Sequence, residues 1–224
     1  MISSLLLNAG LRPTTAVGGI INNGSSYNAH LGEGKYFVAE VDESDGTFLY
    51  FHPRYSVVTN IDYEHVDFYK NWEGILEAWQ KFILCTDKDG CVIAYGEDPH
   101  IKNLLSSGHR RAITYGFADT NDFYAHNIEV NGFSSSFDCF SKEKGKLRRI
   151  ELIVPGRHNI LNALACVALG EQLGIGIEVT IRTLKEFGGV KRRFQLKGDL
   201  DGVMVIDDYG HHPTEVTADR KSVV

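Results

Sequence analysis

The stretch YFVAEVDESDGTF, residues 36–48, joins an apolar segment of strand length to a dense group of carboxylates. The apolar part, residues 36–41, is typical of a β-strand that is buried in a sheet. The carboxylates around its end belong to Glu40, Asp42, Glu43 and Asp45. Like charges held this close repel one another unless a cation lies between them. The stretch therefore indicates either a solvated acidic turn or a cation-binding loop at the end of a strand.

Similar apolar segments alternate with helical patterns along the chain, which predicts an α/β fold with a largely parallel sheet. The further predicted strands are YSVVTNI (55–61), CVIAYG (91–96) and AITYGF (112–117). Apolar residues at helical spacing predict one helix over 72–83 and another over 160–168. Residues 123–154 alternate instead, which predicts antiparallel strands with turns at 131–132 and near 144–145.

One large domain and the beginning of a second are predicted, with a boundary near Gly188-Gly189. Residues 192–210 beyond it indicate a β-hairpin that turns at 199–202 and ends in two aspartates. The chain opens in an amphipathic helix with no strand before it, and it closes on ADRKSVV, which completes no element. Both ends are therefore expected to lie within a longer protein.

The composition argues against several kinds of partner. A net charge of −6 and the lack of a lysine or arginine stripe argue against nucleic acid. No apolar run approaches the roughly 20 residues of a membrane span, and no basic segment typical of a signal peptide opens the chain. The cysteines, which lack CxxC spacing, are Cys85, Cys91, Cys139 and Cys166. Cys85 and Cys91 could face each other across a turn, but free thiols in a cytoplasmic protein are favoured.

A second acidic group follows the predicted strand 55–61. It contains Asp62, Glu64, His65 and Asp67. Ligands of open α/β sheets bind at the carboxyl ends of the strands. If the two acidic groups follow neighbouring strands, Glu40 and His65 lie close together and a divalent cation could bind between them. The alternative for His65 alone is a surface ion pair.

Two asparagines lie on one helical face in PGRHNILNA, residues 155–163. The pattern predicts that the helix begins at about His158 or Asn159, so that Asn159 and Asn162 share a face near its N-terminus. Backbone N–H groups at such a terminus favour anionic or polar ligands. Capping by Asn159 is the alternative, but it leaves Asn162 unexplained.

Two further segments carry functional residue types near the end of the chain. KRRF, residues 191–194, supplies arginines suited to phosphate oxygens, or forms a solvated basic turn. DDYGHHPTEV, residues 207–216, ends a strand in two carboxylates and continues through a glycine turn with two histidines. A helix is predicted to begin near Pro213. This second segment favours a functional role over a purely structural one.

Together and in this order, these segments resemble the ATP-dependent Mur ligases. The segments that carry the resemblance are GGIINNGSSYNAHLGEG (18–34), FVAEVDESDGTFLYFHP (37–53), VVTNIDYEHVDFY (57–69), VPGRHNILNALA (154–165), KRRFQLKG (191–198) and DDYGHHPTEV (207–216). Within the family, DESDGTF and DDYGHHPTEV favour the member that adds L-alanine over its tripeptide-recycling and later-acting relatives.

The resemblance implies an α/β fold of the Mur ligase central ATPase domain, with a mostly parallel sheet flanked by helices and a small antiparallel portion. Residues 1–189 would form that domain, truncated at its N-terminus, and residues 190–224 would begin a Rossmann-like C-terminal domain. The family's phosphate-binding loop is missing, since no GxxxxGK[ST] occurs in the sequence. A fragment that does not complete the reaction alone is therefore expected.

The resemblance also implies roles for individual residues. The implied magnesium ligands are Glu40 and His65, the implied ATP contacts are His158, Asn159, Asn162, Arg193 and Asp208, and the residues near the incoming amino acid are Tyr209 and His211. Glu40, His65, Arg193 and Asp208 would carry the catalytic roles. The implied reaction is the ligation of L-alanine to UDP-N-acetylmuramate through an acyl phosphate, with ATP and magnesium as cofactors. The alternatives are a non-catalytic remnant that keeps metal or nucleotide binding, and a sibling ligase that adds a peptide or glutamate.

Overall fold

A computed structural model describes residues 1–21, 28–211, 213 and 216–217 of the chain. The helices are α1 (Ile2–Asn8), α2 (Val66–Tyr69), α3 (Trp72–Cys85), α4 (Pro99–Ser106), α5 (Arg157–Gln172) and α6 (Ile177–Glu186). The strands are β1 (Thr14–Ala16), β2 (Ala29–His30), β3 (Phe37–Ala39), β4 (Tyr55–Val58), β5 (Cys91–Tyr95), β6 (Ala112–Gly116), β7 (Phe123–Asn131), β8 (Ser134–Ser141), β9 (Gly145–Leu152), β10 (Gln195–Leu200) and β11 (Val203–Asp207). A single 3₁₀ turn, Thr47–Tyr50, lies between β3 and β4.

The main sheet has six strands in the order β4-β5-β6-β7-β8-β9. The pairs from β4 to β7 are parallel, and β7, β8 and β9 form an antiparallel meander. This confirms the predicted α/β fold with a mostly parallel sheet and a small antiparallel portion. The meander turns fall where the sequence predicts them, because Gly132 and Gly145 supply the positive φ angles that tight turns require.

The strand in the opening stretch lies outside the main sheet. Strand β3 pairs in parallel with β1, which pairs antiparallel with β2 on its other side. The condition that the strands at 36–41 and 55–61 are direct neighbours is therefore not met in the described residues, because β3 and β4 belong to different sheets. Strand β3 is also short, and Phe37 is 59% exposed. An apolar segment predicts a strand but does not specify which strand pairs with it.

Helices cover both faces of the main sheet. Alternate residues of β5 face opposite sides: Cys91 and Ile93 join the core around α5, whereas Val92 and Ala94 join the core around α3 and α4. The continuous buried run 163–170 shows that α5 is a central helix, and α1 and α6 pack beside it. Arg157 lies over the ring of Phe117, which follows β6, and Gln172 bonds to Arg111, which precedes β6, so the N-terminus of α5 lies at the carboxyl edge of the sheet.

The predicted hairpin near the end of the chain is confirmed as β10 and β11. Its turn contains Asp201 and Gly202, both with positive φ, and the Gly202 amide donates a hydrogen bond of 2.8 Å to Asp199 Oδ1. The helix predicted after Pro213 falls largely outside the described residues, and the domain boundary near residue 189 stays a prediction.

All four cysteines are free, and Cys91, Cys139 and Cys166 are buried. Burial raises the pKa of the Cys166 thiol to about 11, so the thiol is protonated at neutral pH. No helix in the described part of the chain has both the length and the apolar character needed to cross a membrane.

Candidate functional site

The N-terminus of α5 forms one side of the candidate site. Gly156, with φ 93°, lets the chain turn into the helix, which begins at Arg157, slightly earlier than predicted. Asn159 is not the N-cap: its Nδ2 donates to the Pro155 carbonyl at 2.6 Å and lies 3.1 Å from His158 Nε2. Asn162 is half-buried on the next turn of the helix. The polar side chains therefore gather where α5 begins.

A turn of residues 190–194, the arginine turn, lies against the end of β11. The Tyr209 amide donates to the Arg192 carbonyl at 2.7 Å, and the Phe194 amide donates to Asp208 Oδ2 at 2.6 Å. The guanidinium groups of Arg192 and Arg193 lie 5.1 Å and 5.4 Å from the centroid of the Tyr209 ring. Cation–π attraction therefore adds to the backbone bonds that hold this turn.

Asp208 connects the arginine turn to the residues that follow β11. Its Oδ1 accepts a hydrogen bond of 2.5 Å from the Gly210 amide, while its Oδ2 accepts from Phe194. The Tyr209 ring then meets the His211 ring edge to face, with 5.6 Å between the centroids. One carboxylate thus fixes two turns that carry sequence-predicted site residues.

The His158 side chain joins the α5 terminus to this group. Burial lowers the pKa of His158; the nearby Asp208 carboxylate opposes that shift, and the Arg193 guanidinium reinforces it. Electrostatic interactions therefore link His158, which lies beside Asn159, to Arg193 and Asp208, although these residues come from three separate segments of the chain.

A pH effect on stability follows from the lowered pKa of His158. Above about pH 6.5 the imidazole is neutral in both the folded and unfolded states. As the pH falls below that value, the unfolded chain takes up a proton that the folded chain resists, so the free energy of unfolding decreases. We expect His158→Asn to weaken this decrease between about pH 7.5 and about pH 5.5 in urea unfolding.

The exposed residue His109 offers a matched control for this measurement. His109→Gln should leave the pH dependence of stability as it is in the parent chain. An unaltered pH dependence in His158→Asn would show that burial of the His158 imidazole does not affect folding.

The opening acidic stretch uses its carboxylates in two different ways. Asp42 Oδ1 accepts from the Ser44 amide at 3.0 Å, and Asp45 Oδ1 accepts from the Thr47 amide at 2.9 Å. These two carboxylates therefore stabilise the turn itself. Glu43, by contrast, points its Oε1 to within 3.8 Å of His65 Nε2. The stretch is thus partly a local acidic turn and partly a group of candidate metal ligands.

Glu43, Glu64 and His65 each offer one ligand atom, and these atoms lie within 4.8 Å of one another. His65 Nε2 lies 3.7 Å from Glu64 Oε2. In octahedral geometry, ligands about 2.1 Å from a magnesium ion are roughly 3.0 Å apart when adjacent and roughly 4.2 Å apart when opposite, so the two side chains around His65 would have to move slightly to bind such an ion. Two carboxylates suit magnesium, whereas the imidazole is a less typical ligand for it. Burial raises the pKa of Glu43.

Contacts between the loop after β3 and the segment that contains α2 hold Glu43 and His65 in place. The Tyr69 hydroxyl donates to the Glu43 carbonyl, and burial raises the pKa of Tyr69 to about 12, which keeps the donor proton in place. Gly46 has φ 74°, and a Cβ there would lie 2.9 Å from the Phe68 ring. His65 has φ 54°, an uncommon value for a residue with a side chain. The loop after β3 and helix α2 are therefore packed against each other.

The Glu40 carboxylate, which was predicted to lie beside His65, accepts a hydrogen bond from a backbone amide. Its Oε2 accepts a hydrogen bond of 2.9 Å from the Gly18 amide. Within the described residues, the group that could hold a metal contains His65 but not Glu40. A site shared by Glu40 and His65 therefore stays a prediction. Sequence reasoning did not single out Glu43 and Glu64 as candidate ligands, although their positions in the two acidic groups were the available signal.

Comparison with known proteins was consistent in sequence and in structure. Residues 20–170 match the profile of the Mur ligase middle domain. The chain is 44% identical over 218 residues to a UDP-N-acetylmuramate–L-alanine ligase from Anaeromyxobacter sp., covering 97% of this chain and 47% of that protein. The chain spans about half the length of the curated relatives that it matches.

Solved structures gave the same result. The UDP-N-acetylmuramate–alanine ligase of Thermotoga maritima superposes with a TM-score of 0.84 at 29% identity, covering 99% of this chain and 49% of that one. A MurF ligase from Thermotoga maritima, crystallised in complex with ADP, superposes with a TM-score of 0.79 at 18% identity, covering 99% of this chain and 52% of that one. This second likeness concerns the fold alone.

Proposed function

Because the chain belongs to the Mur ligase family, through the middle domain matched over residues 20–170, we propose that it supplies the nucleotide- and magnesium-binding part of an ATP-dependent ligase. That ligase joins L-alanine to UDP-N-acetylmuramate in the synthesis of peptidoglycan precursors. The name of the 44% identical relative supports this choice of substrates. The complete ligase activity is part of this proposal, because the chain spans about half the length of such relatives.

The observation that carries the proposal is the meeting of the arginine turn, Asp208 and the N-terminus of α5. Arg193 offers a planar cation to the ATP phosphates. The α5 terminus offers polar groups from Asn159 and Asn162, and His158 lies beside them for contact with the base. The ADP complex of the MurF ligase supports a nucleotide as the ligand of this fold.

Magnesium would be held by Glu40 and His65, with Glu43 and Glu64 as additional carboxylates. The grouping of ligand atoms from Glu43, Glu64 and His65 within 4.8 Å of one another supports an ion at this place. When bound, the ion would screen the negative charge of the ATP phosphates. The hydrogen bond from Gly18 orients Glu40, and Glu43 lies beside His65, so the chain itself orients both side chains.

The proposed reaction has two steps. The muramate carboxylate attacks the γ-phosphate of ATP, which gives an acyl phosphate and ADP. The amine of L-alanine then attacks the acyl carbon, and inorganic phosphate leaves. Arg193 would stabilise charge on the transferring phosphoryl group. Tyr209 and His211, which lie one after the other beyond β11, would contact the incoming amino acid.

A second candidate is a non-catalytic chain that binds nucleotide or metal. It stays open because the family model that matches residues 20–170 describes a middle domain and not a whole ligase. A sequence of the type GTHGKT encoded in frame directly before Met1 would favour the ligase. We expect the 224-residue chain alone to release no phosphate in response to L-alanine and UDP-N-acetylmuramate.

Titration calorimetry with ATP and magnesium tests the proposed binding site. We expect the chain to bind ATP, and Arg193→Ala to raise the dissociation constant by about tenfold or more, because a charged hydrogen-bond partner is lost. Arg182→Ala, at an exposed position on α6, is the matched control and should bind ATP as the parent does. Equal affinity of the parent and Arg193→Ala, or no binding by the parent, would contradict the proposal.

A further inference from the structure

The candidate site has two halves: the acidic residues with His65, and the arginine turn with Asp208. The segment Gly18–Ile21 contacts Glu40 of the first half and the arginine turn of the second. On one side, the Gly18 amide donates to the Glu40 carboxylate at 2.9 Å. The backbone of Glu40 is itself held, because its amide donates to the Ala16 carbonyl at 2.8 Å. The segment therefore extends from β1 directly to a proposed magnesium ligand.

On its other side, the same segment holds the arginine turn. The Lys191 amide donates to the Ile20 carbonyl at 2.8 Å, and Ile21 forms an antiparallel bridge with Val190. The Arg193 amide then donates to the Val190 carbonyl at 3.2 Å. The position of Arg193 is thus linked to the segment through two residues of its own turn.

Gly19 lets the segment approach the arginine turn closely. A Cβ on Gly19 would lie 2.4 Å from Val190 Cγ1, which is too close for two carbon atoms, but 3.8 Å from Val190 Cβ, an ordinary contact. Gly19 is not among the residues with positive φ. A side chain at residue 19 would therefore require one methyl group of Val190 to move away.

We propose that Gly18–Ile21 is a positioning segment that sets the distance between the Glu40 carboxylate and the Arg193 guanidinium. The inference rests on the proposed function, in which these two groups bind magnesium and the phosphates of one ATP molecule. A displacement of the arginine turn by about 1 Å is enough to weaken contacts that must act together. The packing of Val190 on Gly19 prevents that displacement.

A double-mutant cycle tests this packing. We expect Gly19→Ala to raise the dissociation constant for ATP with magnesium by about tenfold, since the added methyl group would push against Val190 and displace the arginine turn. Val190→Ala removes the obstructing methyl group, so Gly19→Ala/Val190→Ala should restore binding to within about threefold of Val190→Ala. Gly176→Ala, where a Cβ meets nothing within 4 Å, is the matched control.

Amide hydrogen exchange gives a readout that does not depend on ATP. Gly19→Ala should lower the protection of the Lys191 and Arg193 amides, and the double variant should restore it, while amides in the middle of α5 keep their protection. Unchanged protection at Lys191, or loss that the double variant does not restore, would overturn the inference. If the parent protein binds no ATP, the proposed function fails while the exchange experiment still decides the role of the segment.

A second variant covers the case in which Gly19→Ala does not fold. Lys191→Pro removes the amide that bonds to Ile20 and adds no atom at Gly19. It should lower the protection of the Arg193 amide and weaken ATP binding, whereas an unaltered Arg193 amide in this variant would also overturn the inference.

Discussion

Asp208→Ala should raise the dissociation constant for ATP with magnesium by about 10- to 100-fold. The carboxylate accepts hydrogen bonds from the Phe194 amide at 2.6 Å and the Gly210 amide at 2.5 Å. Hydrogen bonds to charged groups contribute about 1.5–3 kcal/mol. Without them, the arginine turn and the turn after β11 both lose their shared anchor. Titration calorimetry on the purified variant measures the effect.

Two control variants make this result specific. Asp208→Asn keeps one side-chain oxygen as an acceptor, so an intermediate affinity is expected. Asp199→Ala also removes a hydrogen bond between an aspartate and a backbone amide, but in the hairpin turn at Gly202, and it should bind ATP as the parent does. Parent-like affinity in Asp208→Ala would show that this carboxylate does not organise the site.

Phe48→Ala should lower the free energy of unfolding by about 3–5 kcal/mol, as large-to-small changes at buried aromatic residues do. Phe48 is only 1% exposed, and its ring centroid lies 5.3 Å from that of Trp79 and 5.1 Å from that of Phe82. The residue directly follows the acidic loop, so the loss should also loosen Glu43. Urea unfolding measures the stability, and the Glu43 amide reports the loop by hydrogen exchange.

Tyr50, in the same 3₁₀ turn but 84% exposed, is the matched control. Tyr50→Ala should alter the free energy of unfolding by about 0.5 kcal/mol or less. Similar losses in the two variants would mean that the turn, rather than the buried Phe48 ring, supplies the stability.

Sequence patterns predicted helices and strands most accurately where buried residues recur at a regular spacing. The apolar stripe over 72–83 became α3, and the alternating segment 123–154 became the meander, because each pattern reflects a face packed against a core. Residues 36–41 gave a strand of only three residues. Phe37 and Val41 are exposed, whereas Tyr36 and Val38 are half-buried against the main core, so the strand is less buried than its apolar character predicts.

The candidate site was predictable in its residue types but not in all of its contacts. His158, Arg193 and Asp208 were identified from their motifs, yet only tertiary packing shows that they meet. Glu43 was grouped with the other acidic residues of its stretch because spacing alone cannot distinguish a carboxylate that bonds to its own turn from one that faces His65. The role of Gly19 was not visible either, since its neighbour Val190 is distant in sequence.

The central claim is that one ATP molecule with its metal ion contacts both halves of the site. Paramagnetic broadening of amide signals by Mn²⁺ bound with ATP tests it most directly. We expect the amides of Gly18, His65, Arg193 and Asp208 to broaden together, while that of Gly174, beyond the far end of α5, stays sharp. Broadening confined to the acidic residues, or to the arginine turn and Asp208 alone, would contradict a single shared site.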